Sequence, residues 1–305
     1  EAIDELRKAI DLDPKSAQAH TDLGVILVRR GQVSAGIEEH RQALALNPNS
    51  AEAHINLGNA FRMRNEHESA AAEYRAAIEL KPHLAAPRWN LAQTLMDQGK
   101  FTEALVYLQH GHEVSLRDRY GPYPWTARLR ECERLLELDG KLPAVLASNE
   151  PVTNATERTE YAMLCYSKRL FATSAGFYEQ AFAEEPTLPE DREHGHLYRA
   201  ACSAALAGCG LGEDAGAPAL DDAERRRLRQ QALEWLGADL AQHAMALKSR
   251  DPKDRQPALT QLHHWLVDPD LAGVRDEEAL AKLPEAEREP WRTLWADVAE
   301  VLKER

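Results

Sequence analysis

The sequence predicts an all-α chain: a solenoid of stacked helical hairpins, followed by a more divergent helical region. Three observations predict it. Residues recur at a fixed step of 34: Pro14, Pro48 and Pro82; Ala9, Ala43 and Ala77; Leu12, Leu46 and Leu80; Ile10, Leu44 and Ile78; and Leu23, Leu57 and Leu91, directly followed by Gly24, Gly58 and Ala92. Between these marks apolar residues return at helical spacing, and no convincing strand alternation is found. A hydrophobic fraction of 44% supplies the apolar faces that such hairpins bury against one another.

Taken in order, residues 1–16 read as the second helix of a preceding unit, a half repeat. Three full units follow at 17–50, 51–84 and 85–116. The first helix of each is expected at about 18–30, 52–64 and 86–98. It closes at Gly31, Asn65 or Gly99, residue types that tolerate a left-handed backbone. The second helix is expected at about 34–46, 68–80 and 102–115, stopped by Asn47-Pro48 and Lys81-Pro82, because the residue before proline is pushed out of helical geometry. Gly24, Gly58 and Ala92 carry almost no side chain and let paired helices approach closely. Ala43 and Ala77 do the same between units. The third unit departs from the pattern, with Gly111 in the Ala43/Ala77 column and Leu116 in the proline column. Gly36 stands inside a helix, at about 1 kcal/mol relative to Ala.

These columns resemble the tetratricopeptide repeat (TPR), a helix–turn–helix unit of 34 residues. The resemblance implies a right-handed superhelix whose first helices line a concave groove that holds extended peptides.

Residues 117–150 read as a helical connector: a turn-rich loop at 120–124, then a helix at about 125–138 closed by Asp139-Gly140. A polar stretch with Pro151 marks a boundary, and 151–305 form the divergent C-terminal subdomain. Its expected helices run at about 156–168, 172–184, 191–207, from Asp221-Asp222 to about 248, then 255–267, 276–282 and 285–303, with a Gly-rich stretch at 208–218. Leu228, Ala232, Trp235, Leu236 and Leu240 give the long helix its apolar stripe. Trp291, Leu294, Trp295, Val298 and Leu302 do so for the last. The strings Tyr198-Arg199-Ala200-Ala201-Cys202, Leu220-Asp221-Asp222-Ala223-Glu224-Arg225 and Asp268-Pro269-Asp270-Leu271-Ala272-Gly273-Val274-Arg275-Asp276 resemble a C-terminal region of large bacterial TPR proteins. In that group the region often trails a eukaryotic-like Ser/Thr protein kinase domain. The resemblance implies a non-catalytic tail, since these residues hold no Gly-rich phosphate loop and no HRD or DFG motif. The chain opens at Glu1-Ala2-Ile3, without Met and within the periodic pattern, so it reads as a piece of a longer protein.

Thirty-seven Lys and Arg against fifty Asp and Glu leave a net charge of −13. That disfavours nucleic acid and anionic membrane surfaces, both of which call for a cationic face. No uncharged apolar run reaches about 18 residues, the length of a membrane span. Four cysteines without a CxxC pair suggest reduced thiols and a cytoplasmic setting.

The sharpest candidate site is a polar ladder on the first helices, Asp22, Asn56 and Asn90, again 34 apart. An Asn amide both donates and accepts, so a column of them suits a peptide backbone whatever its side chains. Asn59, Trp89, Gln93, Thr21 and Met63 are expected neighbours. The columns that hold Lys and Arg in TPR proteins gripping a carboxylate carry Thr21, Val25, Asn56, Ala86 and Asn90 here, which does not suit that specificity. His20 and His54 stand in a column usually filled by a large aromatic and are expected to pack. Neither His194 and His196 nor His263-His264 has the spacing of a zinc site, and Arg225-Arg226-Arg227 with Arg229 read as a solvated, partly paired face. No metal, cofactor or catalytic site is expected, because no G-x-S-x-G, H-E-x-x-H or P-loop is present. The function read from the sequence is a non-catalytic scaffold for a protein or peptide partner. The alternatives are a regulatory or substrate-recruiting tail of a Ser/Thr kinase, and a self-association module.

Overall fold

The computed structural model describes residues 2–118, 124–148, 151–192, 194–212 and 220–303. Among them it is all α, with sixteen α-helices and no strand. It divides into two compact units, Glu1–Glu137 and Leu138–Arg305. The division falls within the stretch read as a connector.

The first unit begins with α1 (Ala2–Leu12). Three hairpins follow: α2 (Ala17–Arg29) with α3 (Val33–Leu46), α4 (Ala51–Met63) with α5 (His67–Leu80), and α6 (Ala85–Asp97) with α7 (Phe101–Asp118). Each expected boundary lies close to the observed one because each punctuation residue does its work. Gly31, Asn65 and Gly99 adopt φ of 77°, 56° and 70°, the left-handed turn that ends a helix. Asn47 and Lys81, held before proline, leave helical geometry at φ −137° and −137°. Ser16 and Ser50 cap α2 and α4 by accepting from the amides of Ala19 and Ala53.

A second column explains the small residues. A Cβ on Gly24 would lie 2.6 Å from Cε1 of His40, and one on Gly58 would lie 2.6 Å from Cε1 of Tyr74. His40 and Tyr74 are the same position one unit apart, and both are buried. In the third unit Ala92 replaces the glycine and Leu108 replaces the ring, so the smaller partner faces the larger one each time. Gly36 has a similar cause, since a Cβ there would meet Val28 Cγ2 at 2.5 Å and the Gly24 carbonyl oxygen at 2.9 Å. Gly111, which breaks the alanine column, sits beneath Trp125, with a Cβ reaching 2.3 Å from its ring. The apparent loss of pattern at 111 is therefore a made space for an indole.

That indole opens α8 (Trp125–Leu146), which runs through Gly140 and Pro143 and does not stop at Asp139-Gly140 as expected. Leu135, Leu138 and Leu142 continue its buried stripe, and their burial outweighs the roughly 1 kcal/mol cost of an internal glycine. The loop expected at 120–124 lies almost wholly outside the described residues, as does most of the Gly-rich stretch at 208–218.

In the second unit, α9 (Ala155–Ser167) and α10 (Phe171–Glu184) form a hairpin on which α11 (His196–Gly208) packs. The helix expected from 191 begins at 196 because a 3-10 turn at Leu188–Glu190 and a left-handed Gly195, φ 60°, intervene. α12 (Asp222–Leu247) is capped by Asp221 as expected, its carboxylate accepting from the Glu224 amide. α13 (Pro252–Trp265), a 3-10 turn at Pro269–Leu271, α14 (Ala272–Arg275), α15 (Glu277–Leu280) and α16 (Glu285–Lys303) complete the unit. The helix expected at 276–282 is the shorter α15, set off from α14 by Asp276, which is extended at φ −76°, ψ 133° and leads into it.

Candidate functional site

The contacts between α2 and α4, and between α4 and α6, set the three first helices side by side. The 34-residue step then places the predicted polar column on neighbouring helices. What it presents is uneven. Asp22 is exposed and accepts from Gln18 Nε2 at 2.9 Å. Asn56 is half-buried, and among the described residues its amide has no hydrogen-bond partner. Asn90 donates from Nδ2 to Asn59 Oδ1 at 3.0 Å, and the same oxygen accepts from the Tyr74 hydroxyl at 2.8 Å.

Asn59 and Asn90 are thus brought together, one unit apart, with Tyr74 joining them from α5. Sequence reasoning missed Tyr74; the signal was its place in the His40 column opposite a glycine. Burial pushes its phenol up to about 12, with the Arg62 guanidinium acting in the opposite sense. Arg62 and Asp97 stand 4.0 Å apart beside it. Gln93, in the Asn59 column of the next unit, is half-buried.

Trp89 is half-buried against Trp125, edge to face with ring centroids 5.1 Å apart. The Arg128 guanidinium lies 5.8 Å from its centre. Part of this indole is therefore spent on α8. Thr21 does not belong to the face. It is buried and its hydroxyl donates to the Ala17 carbonyl at 2.9 Å. Met63 is exposed. His20 and His54 pack between paired helices, and each also meets a carboxylate: Nδ1 lies 2.7 Å from Glu39 Oε2 and 2.6 Å from Glu73 Oε2, respectively.

In the second unit the cluster around Asp268 is largely internal. Asp268 accepts its own turn's amide from Asp270 at 3.0 Å, the Tyr198 hydroxyl, and His264 Nε2 at 3.1 Å. Asp270 accepts from the Tyr166 hydroxyl, and buried Cys202 lies beside both carboxylates. Burial opposes ionisation of Asp268, but the bonds from His264 and Tyr198 prevail and hold its carboxyl below the usual range. Burial pushes the Cys202 thiol well up, which keeps it protonated and unreactive. Burial likewise lowers His196.

The arginine group departs from its expected solvated face at one member. Arg227 is surface-paired with Glu224, but Arg229 is buried, its fork on Glu287 at 2.7 and 3.0 Å and its third nitrogen on the Gly208 carbonyl. A face-directed Arg and an inward-directed one differ by only two helix positions, so charge pattern alone does not separate them.

With this geometry in view, the comparisons add a family. Residues 26–85 match the tetratricopeptide repeat family. No curated protein matches the chain. The solved structure of YrrB, a TPR protein with an unusual peptide-binding site, is 14% identical, covering 84% of this chain and 96% of that one at a TM-score of 0.35. MamA is 17% identical over 62% of this chain and 84% of its own, at 0.36. MamA from Desulfovibrio magneticus RS-1, from residue 41 to its end, is 10% identical over 74% and 96%, at 0.31. Likenesses this distant say nothing of what this chain binds. The 34-residue columns, the hairpin geometry they dictate and the family match agree that residues 26–85 carry tetratricopeptide repeats.

Proposed function

We propose that the first unit is a non-catalytic binding module for an extended peptide segment of another protein, held across α2, α4 and α6 by Asp22, Asn56, Asn59, Asn90, Gln93 and Trp89. The observation that carries this reading is the uncommitted Asn56 amide between an exposed Asp22 and the bonded Asn59–Asn90 pair. The pair fixes its two amides in orientation, which lowers the ordering cost of binding. Asn56 then offers a donor and an acceptor of matched spacing to a peptide backbone.

Panning a random linear-peptide library on the purified chain, then repeating it on Asn56→Ala/Asn90→Ala, tests it. Selected peptides should bind the double variant at least about tenfold more weakly, the equivalent of losing one to two hydrogen bonds, with the melting temperature lower by only a few degrees for the lost Asn90–Asn59 bond. Equal affinity in both proteins would refute the site.

A second reading makes the chain a recruiting tail of a Ser/Thr kinase, on the strength of the residue strings at 198–202, 220–225 and 268–276. A kinase domain in the full-length reading frame would support it. Self-association through the repeats is the third, and light scattering over a wide concentration range distinguishes it.

A further inference from the structure

The turn that leads into α11 gathers a donor set that residue spacing alone does not suggest. Asp191, His194 and His196 each place one ligand atom within 4.8 Å of the other two. Asp191 closes the 3-10 turn, and left-handed Gly195 folds the chain back so that the His194 and His196 rings lie parallel, 10° apart in plane and 5.6 Å between centres. Local hydrogen bonds account for His194. Its Nδ1 lies 2.7 Å from Asp191 Oδ2, and its amide donates to Asp191 Oδ1 at 3.2 Å.

They do not account for His196. This residue is 7% exposed, and its Nδ1 is buried without a hydrogen-bond partner among the described residues. An orphaned buried nitrogen costs about 1–3 kcal/mol, and the same imidazole offers a ring nitrogen to a group with a carboxylate and a second imidazole, a set that one ligand can bridge.

We propose that Asp191, His194 and His196 form a site for a divalent transition-metal cation of the zinc class. Two imidazole nitrogens and one carboxylate oxygen are a borderline donor set, which suits zinc and its neighbours and not the oxygen-seeking magnesium or calcium. Zinc–ligand distances of about 2.0–2.2 Å require the three atoms to draw together. The parts that must move are the cheap ones. Asp191 and His194 lie in a turn, and the His194 side chain is 62% exposed, while His196 is the anchor set in α11 near Tyr178. The positive end of α11 and the Arg199 guanidinium oppose a cation here, and the Asp191 carboxylate offsets them.

The other group with metal-ligand atoms in reach, Cys202, Asp268 and Asp270, differs in that it has no buried, unpartnered nitrogen like His196 Nδ1; its carboxylates are held by Tyr198, His264, Tyr166 and a backbone amide.

Calorimetric titration of the full chain with zinc chloride, in buffer free of chelators, tests the proposal. One saturable zinc site per chain is expected, with no response to magnesium. His194→Ala, at an exposed position, should keep the circular-dichroism spectrum of the unaltered chain and weaken zinc binding by about tenfold or more. The isosteric Asp270→Asn should leave zinc binding unchanged. Zinc should raise Tm in the unaltered chain and not in His194→Ala. Absence of a saturable site, equal affinity in His194→Ala, or loss in Asp270→Asn instead would each overturn it.

Discussion

Replacing Gly58 by alanine sets two effects of known sign against each other. Alanine is the better helix former by about 1 kcal/mol. Its Cβ, however, would lie 2.6 Å from Tyr74 Cε1, 2.9 Å from Cδ1 and 3.0 Å from Cζ, about 1 Å inside ordinary carbon–carbon contact. The ring cannot swing aside freely, because it is fully buried and its hydroxyl is held by Asn59. Overpacking of this kind costs about 1–3 kcal/mol, and a displaced hydroxyl forfeits about 1 more. Set against the propensity gain, Gly58→Ala should destabilise the first unit by about 1–3 kcal/mol. The third unit supplies the compensating change, since Ala92 there stands opposite Leu108. Tyr74→Leu alone opens space over Gly58 and removes the donor to Asn59. Combined with Gly58→Ala, it gives the new methyl room. The two substitutions should therefore couple favourably by about 1 kcal/mol or more in a double-mutant cycle. Denaturant midpoints followed by circular dichroism on the four proteins measure this. A Gly58→Ala chain as stable as the unaltered one, or strictly additive effects, would show that the ring and the glycine are not packed as described.

Two histidines make opposite predictions with pH. Burial lowers His40 to about 4, so the unfolded chain takes up its proton first and stability is lost as pH falls from about 6.5 towards 4. His40→Phe keeps a ring over Gly24 without the titration, and should lose less stability between pH 7.5 and 4.5; equal losses in both proteins would refute it. The hydrogen bond to Asp268 raises His264, so its contribution is present below about 6.5 and fades as pH rises through the higher folded value. His264→Gln should thus lower Tm at pH 5.5 and leave it nearly unchanged at pH 8.5, as a thermal series would show.

The repeat made the first unit's backbone legible. Periodicity fixes where a helix starts, which residue turns left-handed and which position must be small, since each of these depends on one residue and its neighbours. Side-chain partnership is a different matter. Asn59 and Asn90 stand 31 apart and therefore in different columns, so the step of 34 that found Asn56 and Asn90 could not pair them. Trp89 looked like groove lining until α8, from outside the repeat, laid Trp125 on it. Thr21 looked polar and available, but a threonine inside a helix can bond back to the carbonyl four residues before, and this one does. In the second unit the arithmetic had no step to use. Asp191, His194 and His196 come together only because Gly195 reverses the chain, a conformation that composition does not announce.

The two units also solve the problem of helix register by different means. In the first, every hairpin repeats the same small-against-large column, so sliding one helix by a turn would oppose large with large throughout. The second unit has no such period, and there the charged or hydroxyl groups at its helix contacts carry the task. Ser174 on α10 meets Ser203 on α11 at 2.9 Å and donates to the Ala162 carbonyl of α9 at 2.7 Å. Arg229 on α12 grips Glu287 on α16 and the last carbonyl of α11 at once. A buried ion pair contributes little net stability over apolar packing, yet stranding one of its charges costs about 3–5 kcal/mol. An arginine bound to two helices therefore penalises any slipped arrangement more than it rewards the correct one. That asymmetry is what a helical unit without a repeat requires, and it explains why its largest buried polar contacts lie between helices instead of on an open face.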